Sequence, residues 1–367
     1  MLDLEETFVY DAVIHAYNLE RSNYLNERHA EAATELIYGA ITEASPPGYK
    51  LTREGFIRDW SVGETSRMVF LESDTDMGTF QPIPLTVYKD GLVADEKAIE
   101  AKERWPQRYR TYVSIDPLGE DPIGKLEEAV ETFDPIGVKM YPSSWTADDH
   151  RWWRMDDEEV AFPVFERARE LGIDLIAIHK ALPVGTVPTE PYKTEDVDEA
   201  ATSFPDMTFS IVHGGLSFAE ETGWQLGRYP NIYVNLEVMG QILAGNEPAF
   251  AEAFGELLSI GGERVIDQIV WGSGASSAHP QVQLEAFRDF QFPERLLGPA
   301  GKFGPIPQLT DEHKRKILGE NYADLVGIDI EEAKEGFADD EFAQQRAENG
   351  DELAEPYTTT EAAAEVM

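Results

Sequence analysis

The sequence predicts a single (β/α)8 barrel, and three observations carry the prediction. Eight short β-rich runs alternate with longer amphipathic stretches, the alternation fills residues 8–330, and polar side chains able to do chemistry close most of the β-rich runs. A doubly wound open sheet is the competing architecture. The lack of a GxGxxG turn after the first strand weighs against it.

In chain order, the β-rich runs are Phe8–His15, Met68–Glu72 (MVFLE), Tyr109–Ile115 (YRTYVSI), Ile136–Tyr141 (IGVKMY), Asp174–His179 (DLIAIH), Thr208–His213 (TFSIVH), Ile232–Leu236 (IYVNL) and Gln268–Gly272 (QIVWG). Each is four to eight residues of mainly β-branched or aromatic character, the length and chemistry of a buried strand. Between them, Gly124–Thr132 and Glu158–Leu171 place apolar residues at helical spacing. Pro183, Pro188 and Pro191 mark Ala181–Lys193 as an irregular loop after a strand. Beyond Ile330, few large apolar residues and dense acidity predict a frayed helix running into a disordered tail. The expected division is therefore a barrel over 1–330 and a tail over 331–367.

Composition excludes several classes. With 42% hydrophobic and 11% aromatic residues there is material for a large core. Without cysteine there is no disulfide framework, thiolate metal site or thiol nucleophile. Seventy acidic against 30 basic residues give a net charge of -40, of which only -10 falls in 331–367. A surface so uniformly acidic repels itself at low salt and stays soluble in concentrated salt, which points to a halophilic, salt-adapted cytosol. The same charge repels a phosphate backbone, so nucleic acid is not an expected partner. The acidic start MLDLEETFVYD has no signal-peptide pattern, and no apolar run is long enough to span a bilayer; the expectation is a cytoplasmic protein.

Catalytic groups of a barrel stand at the C-terminal ends of its strands. His15, Glu72, Lys139 with Tyr141, His179 and His213 each close a run, Glu237 follows the seventh, and Ser273–His279 follows the eighth. One histidine would read as a structural residue. Three at three strand ends could present neutral imidazoles to a divalent metal that activates water. His29, His150 and His313 lie in charged surroundings and read as solvated. His279 either caps the next helix or reaches the mouth as a further ligand.

The chain resembles the amidohydrolase-related superfamily, in the branch of aminocarboxymuconate semialdehyde decarboxylase-like enzymes. The stretches that carry the resemblance are YDAVIHAYNLE, YVSIDPLGED, FDPIGVKMYPSSW, IDLIAIHKAL, FSIVHGGLSF, NIYVNLEV, IVWGSGASSAHPQ and ILGENYADLVGID, in the family's order over residues 8–329. IGVKMYP, VHGG and the closing ILGENYADLVGID are the most specific. The resemblance implies a barrel with a divalent metal, zinc or manganese, held by His15 and His179, with His213 in acid–base or electrophilic catalysis and Asp11 opening the Asp-x-His-x-His motif. It also implies a small-molecule substrate and, often, a homodimer, for which the DDHRWWRM segment would be an apolar contact or an active-site lid.

Two departures stand out. Val13 occupies the first histidine of the motif, and Gly274 occupies the usual strand-8 aspartate, a ligand and base. Glu72, Glu237, His279, water or a modified Lys139 would have to fill the vacancies. An unmodified Lys139, hydrogen-bonded at the barrel mouth or pairing with a substrate carboxylate, is the preferred reading of that residue. Three functions follow as expectations. The first is a metal-dependent hydrolase in which His213 shuttles a proton and Glu237 replaces the base. The second is a non-oxidative decarboxylase on the same scaffold, with Lys139, Trp145, Trp152 and Trp153 as possible clamps. The third is a metal-free ligand-binding or structural barrel. The lack of a GxSxG elbow and of a P-loop sets serine hydrolysis and nucleotide chemistry aside.

Overall fold

The computed structural model describes residues 2–298, 301–350 and 352–367. Eight parallel strands run in sequence order: β1 (Tyr10–Ile14), β2 (Met77–Phe80), β3 (Tyr109–Ile115), β4 (Gly137–Met140), β5 (Leu175–Ile178), β6 (Thr208–Ile211), β7 (Ile232–Asn235) and β8 (Ile269–Val270). The barrel closes where Ala12 N–H donates to Trp271 O at 3.0 Å and Gly274 N–H to Val13 O at 2.9 Å. Helices follow the strands and cover the outside, so the architecture is the TIM barrel that the alternation predicts.

Seven of the eight expected strands form where they were read. The exception is the second. Met68–Leu71 is the last turn of a helix, Val62–Leu71, and β2 is the short MGTF run at Met77–Phe80. The helix starts at a capping box: the Ser61 hydroxyl accepts from Glu64 N–H while the Glu64 carboxylate accepts from Ser61 N–H. Glu72 therefore caps a helix instead of closing a strand, and it does not reach the barrel mouth.

The C-terminal segment differs from the disordered tail expected of it. Helices Ile330–Phe337 and Glu341–Glu348 form, and the chain then runs along residues 50–72, where Ala354 N–H donates to Leu71 O at 2.9 Å and Met367 N–H to Lys50 O at 2.7 Å. Sparse aromatics do the anchoring. Phe342 is fully buried against Phe70 and Trp105, with ring centroids 5.0 and 5.3 Å away. Tyr357 is buried beside His279, 5.0 Å between centroids. Arg108 ties in Asp340 at 2.5 Å, and Glu72 accepts from the N–H groups of Tyr357 (2.7 Å) and Thr359 (2.6 Å). Averaged over 37 residues these few contacts vanish into the acidity, which is why composition alone misleads here. Phe342→Ala should lower unfolding stability by about 3–5 kcal/mol, measurable by denaturant titration in concentrated salt.

The DDHRWWRM segment supplies the second strand of a hairpin, His150–Trp152 pairing antiparallel with Ser143–Trp145. Trp153 is buried and donates to Tyr141 O at 2.9 Å, whereas Trp152 is exposed. Among the described residues no helix is long and apolar enough to cross a membrane.

Candidate active site

Successive strand side chains alternate between faces, and at β4 this decides the chemistry. Val138 and Met140 turn outward into the helix-facing core, so Lys139 turns inward. It meets His15, Tyr141, His179, His213 and Glu237 around a cavity of about 200 Å³ at the C-terminal mouth. Leu36, Ile37 and Ile41 of the helix Glu27–Ala44 roof the cavity, and Ile83, Leu85, Leu92, Leu182 and Val184 complete its apolar wall. Five of the six residues singled out as catalytic or metal-binding thus converge.

The sixth, His279, does not. It is the N-cap of the helix Pro280–Asp289. Its Nδ1 accepts from Gln281 N–H at 3.2 Å and its Nε2 donates to Glu72 at 3.0 Å. Both ring nitrogens are thereby committed, and the expectation of His279 as a metal ligand is corrected to that of a capping residue. His313, expected on a solvated surface, is likewise a buried cap: it closes a box with Thr310 and meets Glu263 at 3.0 Å.

Strained backbone places His213 and Glu237. His213, Gly214 and Gly215 all have positive φ, at 67°, 57° and 68°. A Cβ on Gly214 or Gly215 would collide with Met239 or Thr222, so VHGG is required by packing. Val238, a β-branched residue, also has φ of 68°, next to Glu237. The Asn235 side chain joins the two segments, accepting from the N–H of His213 and of Glu237, both at 3.3 Å.

The side chains form one connected array. His15 donates through Nδ1 to Gln81 O at 2.7 Å and meets Glu237 through Nε2 at 3.2 Å. Glu237 lies 3.7 Å from His213 Nδ1, and His213 Nε2 lies 3.1 Å from His179 Nδ1. His179 Nε2 faces Leu182 O at 2.7 Å and the Tyr141 oxygen at 2.9 Å, with the two rings stacked 4.0 Å apart. A carbonyl only accepts, so His179 carries its proton on Nε2 and its Nδ1 accepts from His213. The Tyr141 hydroxyl proton is then free for a bound molecule.

Burial drives the electrostatics. It pushes His213 down to about 4 against the pull of Glu237, and it pushes His179 well below the ordinary histidine range with His213 and Lys139 adding to the effect. Burial alone would push Glu237 up, but His213, His15 and Lys139 outweigh it and hold the carboxyl below the usual range. Lys139 is pushed down to about 8 by burial, which the Glu237 charge opposes. Burial pushes Asp11 up to about 7; its oxygens accept from Val13 N–H (3.0 Å), Ser273 N–H (2.9 Å) and the Ser273 hydroxyl, clamping β1 to the end of β8.

The side chains do not fit a catalytic metal with three protein ligands. Val13 fills the first motif position with methyl groups, one 2.9 Å from where a Cβ on Gly272 would lie. A Cβ on Gly274 would lie 2.9 Å from Glu237 Cγ, so Glu237 occupies the room of the absent aspartate. Both nitrogens of His179 are engaged within the protein. Among the described residues no three His, Asp or Glu side chains are grouped to hold an ion.

Fold and site together define a class, a TIM barrel with acid–base side chains gathered at the strand ends. The amidohydrolase family model matches residues 86–328, well over half of the chain, and the chain belongs to that family, the amidohydrolase 2 group. No curated protein sequence matches it. Solved structures agree on the fold at low identity. An uncharacterized TIM-barrel protein from Bordetella bronchiseptica is 15% identical, with a TM-score of 0.61 over 87% of this chain and 98% of its own. The 5-carboxyvanillate decarboxylase of Sphingomonas paucimobilis is 13% identical, with a TM-score of 0.54 over 88% of this chain and 100% of its own. A dihydroxybenzoic acid decarboxylase from a Polaromonas species, solved with manganese and the inhibitor 2-nitroresorcinol, is 12% identical, with a TM-score of 0.54 over 88% and 97%.

Sequence reasoning did not find the roof helix, Tyr17 stacked on His15, or Gln81, whose carbonyl fixes the His15 ring. The helix Glu27–Ala44 lies in a polar stretch whose few apolar side chains carry no sign of facing a cavity. Only the YNLE stretch after His15 marked Tyr17 as lying at a strand end.

Proposed function

We propose that this protein is a non-oxidative carboxy-lyase acting on a small, largely apolar carboxylic acid. The observation that carries the reading is Lys139, a buried cation without a hydrogen-bond partner among the described residues, set in an apolar cavity beside paired histidines. Decarboxylation moves the electron pair of a C–C bond onto an acceptor elsewhere in the substrate. A positive nitrogen next to that acceptor stabilises the transition state more than the ground state. Apolar walls around the departing carboxylate help in the same direction, because its charge disappears as carbon dioxide leaves. The Tyr141 hydroxyl donates to a substrate oxygen, and the His179–His213 pair, neutral at rest, relays from solvent the proton that replaces the carboxyl group.

This reading draws support from the resemblance to the aminocarboxymuconate semialdehyde decarboxylase-like branch and favours carbon–carbon cleavage over hydrolysis. Metal-activated water would need ligands that Val13 and Gly274 do not offer. The cavity lies below the size of drug-sized ligand sites, so the substrate is small. The acidic surface recommends assays in multimolar potassium chloride. A panel of small aromatic and 3-oxo carboxylic acids should release carbon dioxide, with turnover unchanged by a chelator. Hydrolysis of amides or lactones without carbon dioxide release would reject the reading.

A further inference from the structure

Three lysines are buried among the described residues, and two of them are fully engaged. Lys180 Nζ meets Asp196 and Pro191 O, both at 2.7 Å. Lys314 Nζ donates to Arg288 O at 2.5 Å and Phe290 O at 2.8 Å. Lys139 has no such partner; its amine lines the cavity, where the charge of Glu237 favours its protonated form against burial and the His179 and His213 rings lie within electrostatic reach. A desolvated amine that nothing in the protein solvates is the form in which lysine acts as a nucleophile toward carbonyl groups.

We propose that Lys139 forms a covalent imine with the substrate carbonyl, which makes the substrates 3-oxo carboxylic acids. This rests on the carboxy-lyase reading and names its substrate class. The neutral Nζ lone pair attacks the ketone carbon, and the C–O π pair moves to oxygen, which takes a proton from Tyr141 or a histidine. The amine loses a proton to the Glu237–His213 pair, and the hydroxyl leaves as water after a second protonation, giving an iminium. The bond to the carboxylate then breaks. Carbon dioxide departs, the electron pair forms an enamine and neutralises the nitrogen, and His213 protonates the carbon. Water hydrolyses the imine, returning the lysine and a ketone one carbon shorter, so the net change is one proton consumed and one carbon dioxide released. Burial of Lys139 supports the step by pushing its pKa down to about 8, where a neutral fraction exists near physiological pH.

The test is borohydride trapping on the full chain in concentrated salt, with acetoacetate and benzoylacetate as probes and carbon dioxide release followed in parallel. The expected result is irreversible inactivation only when probe and borohydride are both present, with a reduced ketone adduct mapped to Lys139. Lys139→Arg, which keeps the charge but cannot form the imine, should give neither adduct nor turnover, and Lys139→Met serves as a second variant with its fold checked by thermal unfolding. Carbon dioxide release from 3-oxo acids without an adduct at Lys139 would overturn the imine and leave the carboxy-lyase reading standing. An adduct without carbon dioxide release would uphold the nucleophile and overturn the lyase. Neither signal from either probe would reject both.

Discussion

Lys139→Met should lower kcat by about 10³-fold, the order expected when the main positive group at a developing charge is removed. The same variant should be more stable than the parent, by on the order of 1 kcal/mol or more, because a buried ammonium without hydrogen bonds becomes an apolar chain of similar length. Opposite signs for activity and stability are what separate a functional lysine from a structural one. The stability gain also depends on pH in a defined sense. The folded-state pKa of about 8 lies below the ordinary lysine value of 10.5, so the unfolded chain binds more protons between these values. The parent carries the full penalty below pH 8 and loses it as pH rises toward 10.5, so its stability should approach that of the variant across that window. Chemical denaturation of both proteins at pH 7, 9 and 10.5 checks the trend. A variant that is less stable at every pH would place Lys139 in the structural framework.

Glu237→Ala should have the opposite effect on the fold. Glu237 is the hub between His15, His213 and the Lys139 charge, and its removal leaves the His15 Nε2 and the lysine facing an empty space. Breaking a buried charged pair from one side costs about 3–5 kcal/mol, so the variant should unfold several degrees lower and lose turnover. Glu237→Gln keeps the shape and should recover most of the stability but little of the rate, since it cannot accept the proton released in the array. Recovery of the rate as well by glutamine would reduce Glu237 to a packing role. The carboxyl is held below its ordinary range, so its stabilisation is present above the unfolded carboxylate pKa and is lost as pH falls toward the folded value.

Much of this arrangement was legible in the sequence because a barrel strand advertises both its core and its chemical end. β4 to β7 are compact β-branched runs closed by Lys139, His179, His213 and Glu237, and all four side chains reach one cavity. The vacancies at Val13 and Gly274 were equally visible, and the structure adds that Glu237 fills the second of them. Other features were hidden for physical reasons. Met68–Leu71 has strand-like composition but belongs to a helix, and the capping box seven residues upstream was the stronger signal. His279 ends a loop that runs toward the mouth, yet proline at the next position and a buried carboxylate at Glu72 make it a cap. The ordered C-terminal segment depends on Phe342 and Tyr357, single anchors that composition averages away.

The central claim is that the chemistry is centred on Lys139 and needs no metal held by the histidines. Its most direct test is to measure zinc and manganese on the same sample in which carbon dioxide release is measured, after exhaustive chelation in multimolar potassium chloride. The account predicts full turnover with far less than one metal ion per chain, and no gain when zinc or manganese is returned. Stoichiometric metal that leaves together with activity, returns with it, and is absent from a folded His179→Ala variant would contradict the account.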